Sequence, residues 1–286
     1  MPSPREKAEA FRALHRGPGV LVLPNAWDVA TARVFEDAGF PAVATSSAAL
    51  LVSLGYPDGE GIPRREMVAS VRRIAASLAI PLSADVVAGF GRTPRGATAT
   101  VRKILEAGAV GINLEDHDPS GPGLVPVRGQ VRKLEAIRRL GTEMGIPLVI
   151  NARTDALRHG AGSDTDRFEE AIRRSIAYRD AGADCVYPMG LADAPSISTF
   201  VRAVECPVNV MVRRGLPPIP ELERLGVKRV SFGPAGAYAA LGLLKRASEE
   251  IRVRGTYGPL VDGAISFEEL NRLGVPRSAG GLPGTG

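Results

Sequence analysis

Eight short apolar runs, each followed by a longer amphipathic stretch, constrain this chain most. The runs cover 20–23, 42–45, 81–85, 110–115, 147–151, 184–187, 208–211 and 229–232. They are rich in Val, Ile and Leu, as strands buried on both faces are. Helical patterns fill the intervals at 27–38, 64–78, 95–107, 128–144, 165–181, 193–204, 218–225 and 235–253. Eight strand–helix units predict a (β/α)8 TIM barrel. A length of 286 residues suits one such barrel as well as two average domains. Residues 1–17 read as a leading helix (3–16), 18–254 as the barrel and 255–286 as a C-terminal extension. The extension holds a short helix candidate at 267–273 and a Gly/Pro-rich tail at 274–286 that is expected to be flexible.

A small repeat punctuates the units. Glu/Asp-Ala-Gly ends three helical patterns at 37–39, 106–108 and 180–182, and Leu225-Gly226 is a weaker copy. Each Gly can adopt the left-handed conformation that releases a helix into the next strand. Pro41, Pro81, Pro147 and Pro207 stand at strand entrances, where a missing N–H stops the preceding helix.

Composition narrows the function classes. The net charge is +5, but the arginine doublets are scattered and aromatics make up only 5%. A nucleic-acid surface wants a concentrated basic patch with stacking platforms, so no nucleic-acid partner is expected. The two cysteines, Cys185 and Cys206, have no paired spacing. That argues against a disulfide scaffold or a Cys-rich zinc site and fits a reducing cytoplasm. No apolar run is long enough to span a membrane, and residues 1–16 lack the apolar stretch of a secretory signal.

Barrel active sites lie at the C-terminal strand ends. There this chain places Asn25-Ala26-Trp27-Asp28, Thr45-Ser46-Ser47, Asp85, Glu115-Asp116-His117, Asn151-Ala152-Arg153-Thr154-Asp155, Asn209 and Ser231. Carboxylates with few histidines suit a hard cation such as Mg²⁺, which takes one or two carboxylates plus waters and substrate oxygens. Asp85 and Glu115 end adjacent strands, so both can face one ion. Arg153 can fork onto a carboxylate or phosphonate. Ser46 and Ser47 can hold another anionic group. A metal, an Arg and an amide pocket together would stabilise an enolate-like oxyanion.

Six ordered motifs carry a resemblance: Pro-Asn-Ala-Trp-Asp (24–28), Thr-Ser-Ser (45–47), Gly-Tyr-Pro-Asp (55–58), Ala-Asp-x-x-Ala-Gly-Phe-Gly (84–91), Asn-Leu-Glu-Asp (113–116) and Asn-Ala-Arg-Thr-Asp (151–155). Over about 18–250 the chain resembles the isocitrate lyase and phosphoenolpyruvate mutase superfamily. The resemblance implies a Mg²⁺-dependent (Mn²⁺ is the alternative) barrel that makes or breaks C–C or P–C bonds beside a 2-oxo acid or enolate. It implies a homo-oligomer, tetramer or dimer, with the eighth helix exchanged between subunits. Asp85 would be the metal ligand and Glu115 a second, partly water-mediated one. Asp58 would lie near the metal waters, and Arg153 would balance developing charge. Ser46 and Ser47 would bind the substrate carboxylate, with Trp27 and Asp28 close by and Asn209 reaching in from strand seven.

The chain departs from the pattern twice. The lyase branch carries a Cys-containing loop after strand four, whose Cys protonates the departing enolate; residues 118–127 here contain neither Cys nor Lys. His117 is the candidate replacement acid. Val87 stands where the family commonly has an acidic residue. The expectation is therefore a lyase that cleaves a C–C bond of, or decarboxylates, a small 2-oxo or 2-hydroxy carboxylate. The alternatives are phosphonate P–C chemistry and a metal-binding barrel without catalysis.

Overall fold

The computed structural model describes residues 2–274, so the tail at 275–286, expected to be flexible, lies outside the described residues. The barrel strands are β1 (Leu21–Leu23, resuming past Pro24 at Asn25–Ala26), β2 (Val43–Thr45), β3 (Leu82–Asp85) and β4 (Gly111–Glu115). They continue as β5 (Val149–Thr154), β6 (Cys185–Pro188), β7 (Asn209–Met211) and β8 (Arg229–Ser231). All pairs are parallel. The first half of β1 pairs with β8 and its second half with β2. Pairing then runs in order to β6. A bridge from Val186 to Val208 joins β6 to β7, and β7 pairs with β8, which closes the ring.

The punctuation works as the sequence predicts. Gly39, Gly108, Gly182 and Gly226 have φ of 85°, 101°, 98° and 86°. Each strand that follows an entrance proline starts one or two residues later, at Val43, Leu82, Val149 or Asn209. Three details differ from expectation. β5 runs on to Thr154 because its register with β6 continues through Thr154 and Pro188; the polar Asn-Ala-Arg-Thr stretch hides that pairing from a one-dimensional reading. Short helices Ser47–Ser53 and Ala156–His159 cap the mouth. The first barrel helix begins at Val29, because Asp28 serves as its N-cap.

The leading helix (Pro4–Leu14) closes the bottom of the barrel. Phe11 is fully buried there with Leu23, Val110 and Val149, a contribution of about 1.5–3 kcal/mol. A Cβ on Gly111 would lie 2.6 Å from the Phe11 ring, so only glycine admits that contact. The last barrel helix, Ala235–Arg254, buries only Ala237 and Ala247. Its Tyr238, Leu241, Leu244, Ile251 and Val253 are all exposed.

Candidate active site

A cavity of about 380 Å³ opens at the C-terminal strand ends. Strand register aligns its inward side chains in two rows. Asp85, Asn113 and Asn151 are partners across β3, β4 and β5. Above them, Glu115, Arg153 and Tyr187 are partners across β4, β5 and β6.

The lower row is a hydrogen-bonded relay. Asn151 Nδ2 donates to Asn113 Oδ1 at 2.8 Å, and Asn113 Nδ2 donates to Asp85 Oδ1 at 3.1 Å. The other Asp85 oxygen accepts the Ser47 N–H at 3.1 Å. Thr45 Oγ1 accepts the Asp85 N–H at 2.9 Å. These bonds fix the carboxylate's direction. Val87 adds its own N–H to Asp85 Oδ1 at 3.3 Å and accepts the Glu115 N–H at 2.9 Å. It does so at φ 52°, a conformation that a β-branched residue adopts only when its surroundings dictate it.

The upper row carries the charge. Arg153 NH1 lies 2.9 Å from Glu115 Oε2, and its NH2 lies 2.8 Å from Asp155 Oδ1. Its guanidinium stands 6.0 Å from the Tyr187 ring centroid. Burial pushes the Glu115 carboxyl up to about 8 against the pull of Arg153, with Asp85, Asp155 and Asp58 adding to the rise. Burial and then Asp85 raise Asp58 as well. Burial disfavours the charged Arg153, yet Glu115 and Asp155 hold its pKa above the ordinary guanidinium value.

These donors fit a hard divalent cation. Among the described residues no three His, Cys, Asp or Glu side chains converge into an all-protein cage. Mg²⁺ does not need one, since it keeps several waters and takes one or two carboxylates. Asp58 and Asp85 line the cavity with Glu115 behind Arg153, and Asp85 raises both of the other carboxyls, a repulsion that a cation would relieve.

The structure brings Ser46, Ser47, Asp58, Asp85, Arg153 and Asn209 together around the cavity. Glu115 stands behind Arg153 and is 7% exposed. Like Glu115, three further expected residues lie outside the lining. Asp28 Oδ1 accepts the Thr31 N–H and hydroxyl, both at 2.8 Å, as a helix cap. Trp27 packs against the core and Gly236. His117 faces His159, with ring centroids 4.9 Å apart, and its backbone bridges to Leu124. Asp116, read among the carboxylates of the mouth, is fully buried behind the wall, where it accepts from Thr154, Tyr178, Arg174 and the Asp155 N–H.

Sequence reasoning missed Asn113, Tyr187 and Arg229 as lining residues. Asn113 has a legible signal: it precedes Glu115 by two and so shares its face. Tyr187 and Arg229 sit in runs read as plain strands, and only barrel closure turns them inward.

The family profile described as Phosphoenolpyruvate phosphomutase matches residues 11–252. The 2,3-dimethylmalate lyase of Eubacterium barkeri is 30% identical over 93% of this chain and 93% of its own. The 2-methylisocitrate lyase of Bacillus subtilis (strain 168) is 32% identical over 72% of this chain and 67% of its own. A crystal structure from Burkholderia cenocepacia J2315, provisionally described as a lyase/mutase, is 39% identical with a TM-score of 0.87, covering 94% of this chain and 95% of that one. The barrel, the acidic strand ends and these matches along most of its length place the chain in the phosphoenolpyruvate mutase and isocitrate lyase superfamily, whose members include lyases and phosphonomutases.

Proposed function

We propose that the protein is a Mg²⁺-dependent lyase that acts on a small 2-oxo or 2-hydroxy carboxylate through an enolate-like intermediate. The observation that carries this reading is a cavity lined by Asp58, Asp85 and Arg153, with Glu115 paired to Arg153 at 2.9 Å behind it. In the proposal Asp85 would hold the cation, with Asp58 and Glu115 as the further carboxylates near it. When bound, the cation supplies a Lewis acid that draws negative charge onto a substrate oxygen.

The protein's own groups do the rest. Ser46 and Ser47 offer hydroxyls to the substrate carboxylate. Arg153 keeps a fixed positive charge at the wall, oriented by Glu115 and Asp155, so no reorganisation is needed as the oxyanion forms. Asn209 approaches from β7. The segment 117–127 folds on itself through the Asp118 N–H to the Gly123 carbonyl, and Arg92 lies 3.6 Å from Asp118. Its proposed work is to exclude water, with His117 at its base as the proton source when the loop turns the ring inward.

A second reading, phosphonate P–C chemistry, draws support from the matching family's name. One screen separates them: 2-oxo acids, methylisocitrate-like acids and phosphonopyruvate, each with Mg²⁺ and with EDTA. The lyase reading expects cleavage of a carboxylate substrate, lost in EDTA and abolished in Asp85→Ala. Turnover of phosphonopyruvate alone favours the second reading, and full activity in EDTA overturns the metal assignment.

We further propose a cytoplasmic homo-oligomer, tetramer or dimer, with the last barrel helix exchanged between copies. Its exposed apolar side chains support the exchange, and two unpaired cysteines support the compartment.

A further inference from the structure

Arg229 is a buried cation with no carboxylate at ion-pair distance among the described residues, although the charge of Asp85 reaches it from farther off. It lies on β8, is 2% exposed, and is the largest fully buried side chain among the described residues. Its Nε and NH1 are sealed from solvent and make no hydrogen bond. Three other buried or half-buried arginines of the barrel differ. Arg153 has Glu115 and Asp155, Arg174 has Asp116 and Glu170, and Arg138 has Asp184. Removing a guanidinium from water without a partner is costly, and burial accordingly lowers the Arg229 pKa. The side chain nevertheless lines the cavity.

Its position in the barrel says where it acts. Arg229 stands two residues below Ser231 on the same inward face and is the register partner of Asn209. The Asn209 side-chain amide and Ser231 Oγ meet at 3.1 Å above it. The acidic wall is built on β3, β4 and β5, so Arg229 on β8 approaches from another side of the ring. Arg213 and Arg158, which also line the cavity, already contact the Gly190 carbonyl and Asp155.

We propose that Arg229 is a second anion anchor at the floor of the cavity. Its planar fork receives a carboxylate or phosphonate group of the ligand, while a first carboxylate lies at the Ser46, Ser47 and Asp85 end. The site thereby selects small dianions over monoanions. This rests on the cavity being the substrate site, as proposed above.

The test reads binding rather than turnover. Malonate, phosphonoacetate and acetate are titrated by calorimetry into wild type and Arg229→Met in Mg²⁺ buffer. The wild type should bind at least one of the dianions more tightly than acetate, and the tighter of the two identifies the preferred group. Arg229→Met should weaken that dianion about 10- to 100-fold, the scale of a lost charge-assisted hydrogen bond, and leave acetate unchanged. Its thermal midpoint without ligand should equal or exceed that of wild type, because an unpaired buried charge is gone. If Arg229→Met does not fold, Arg229→Lys keeps the charge, loses the fork, and should weaken the dianion several-fold. No dianion preference in wild type, unchanged dianion affinity in the variant, or an equal loss for acetate would overturn the anchor. Those outcomes leave the lyase reading standing, since turnover tests it separately.

Discussion

At the scale of single residues, two arginine–carboxylate networks decide most of the mouth. Arg153 reaches Glu115 and Asp155 with separate nitrogens, so it serves two carboxylates at fixed angles. Lysine offers one point charge and cannot span both. Arg153→Lys should therefore lower kcat/KM on the true substrate by about 100-fold or more, with the fold retained by circular dichroism. A variant within threefold of wild type would reduce Arg153 to a structural part. Asp116 belongs to the other network, gathering Thr154, Tyr178 and Arg174 with no exposure of its own. Asp116→Ala removes the buried acceptor shared by Thr154 and Tyr178 and leaves Arg174 with Glu170 as its only carboxylate. Urea unfolding should show a loss of about 3 kcal/mol at unchanged m-value.

At the scale of elements, the leading helix closes the bottom of the barrel and carries a buried histidine whose titration should tie its docking to pH. His15, its C-cap, is 2% exposed and packs edge-on to Phe11 at 4.8 Å. Nδ1 lies 2.9 Å from the Phe11 carbonyl, while Nε2 is buried without a partner. Burial, then the charge of Arg229, pushes the imidazole down to about 4, with Asp184 pulling weakly the other way. A depressed folded pKa means the unfolded chain takes up the proton first. The stability His15 contributes is present above about 6.5 and is lost as pH falls through about 4. The loss across that window is about 3 kcal/mol. His15→Gln should flatten the stability profile between those limits relative to wild type. Parallel profiles would show that His15 does not titrate as its burial requires.

At the scale of the molecule, the last barrel helix is the element least matched to its surroundings. Leu241 is 54% and Leu244 52% exposed on a helix whose buried residues are two alanines. Apolar surface of this extent supports the proposed exchange between copies. The mass in solution should be two or four times the 30.1 kDa of one chain. The double variant Leu241→Glu, Leu244→Glu should shift it toward the monomer, as read by light scattering after gel filtration. A monomeric wild type would remove the exchange proposal.

The barrel was legible in the sequence because its signals are local. Apolar runs, amphipathic stretches, the Gly39, Gly108, Gly182 and Gly226 stops and the entrance prolines each act within a few residues. Asp85, Glu115 and Arg153 were legible too, since a strand end is a place in the chain as much as in space. Direction was not legible. Asp116 and Glu115 are neighbours in sequence, yet alternation along β4 and its exit sends one into the wall and the other toward the site. His117 follows both and turns to His159, because the loop closes on Leu124. Arg229 sits in a run that reads as an ordinary strand. Only closure of β8 on β1 and β7 places its charge inside the ring, where the tertiary structure makes it part of the cavity.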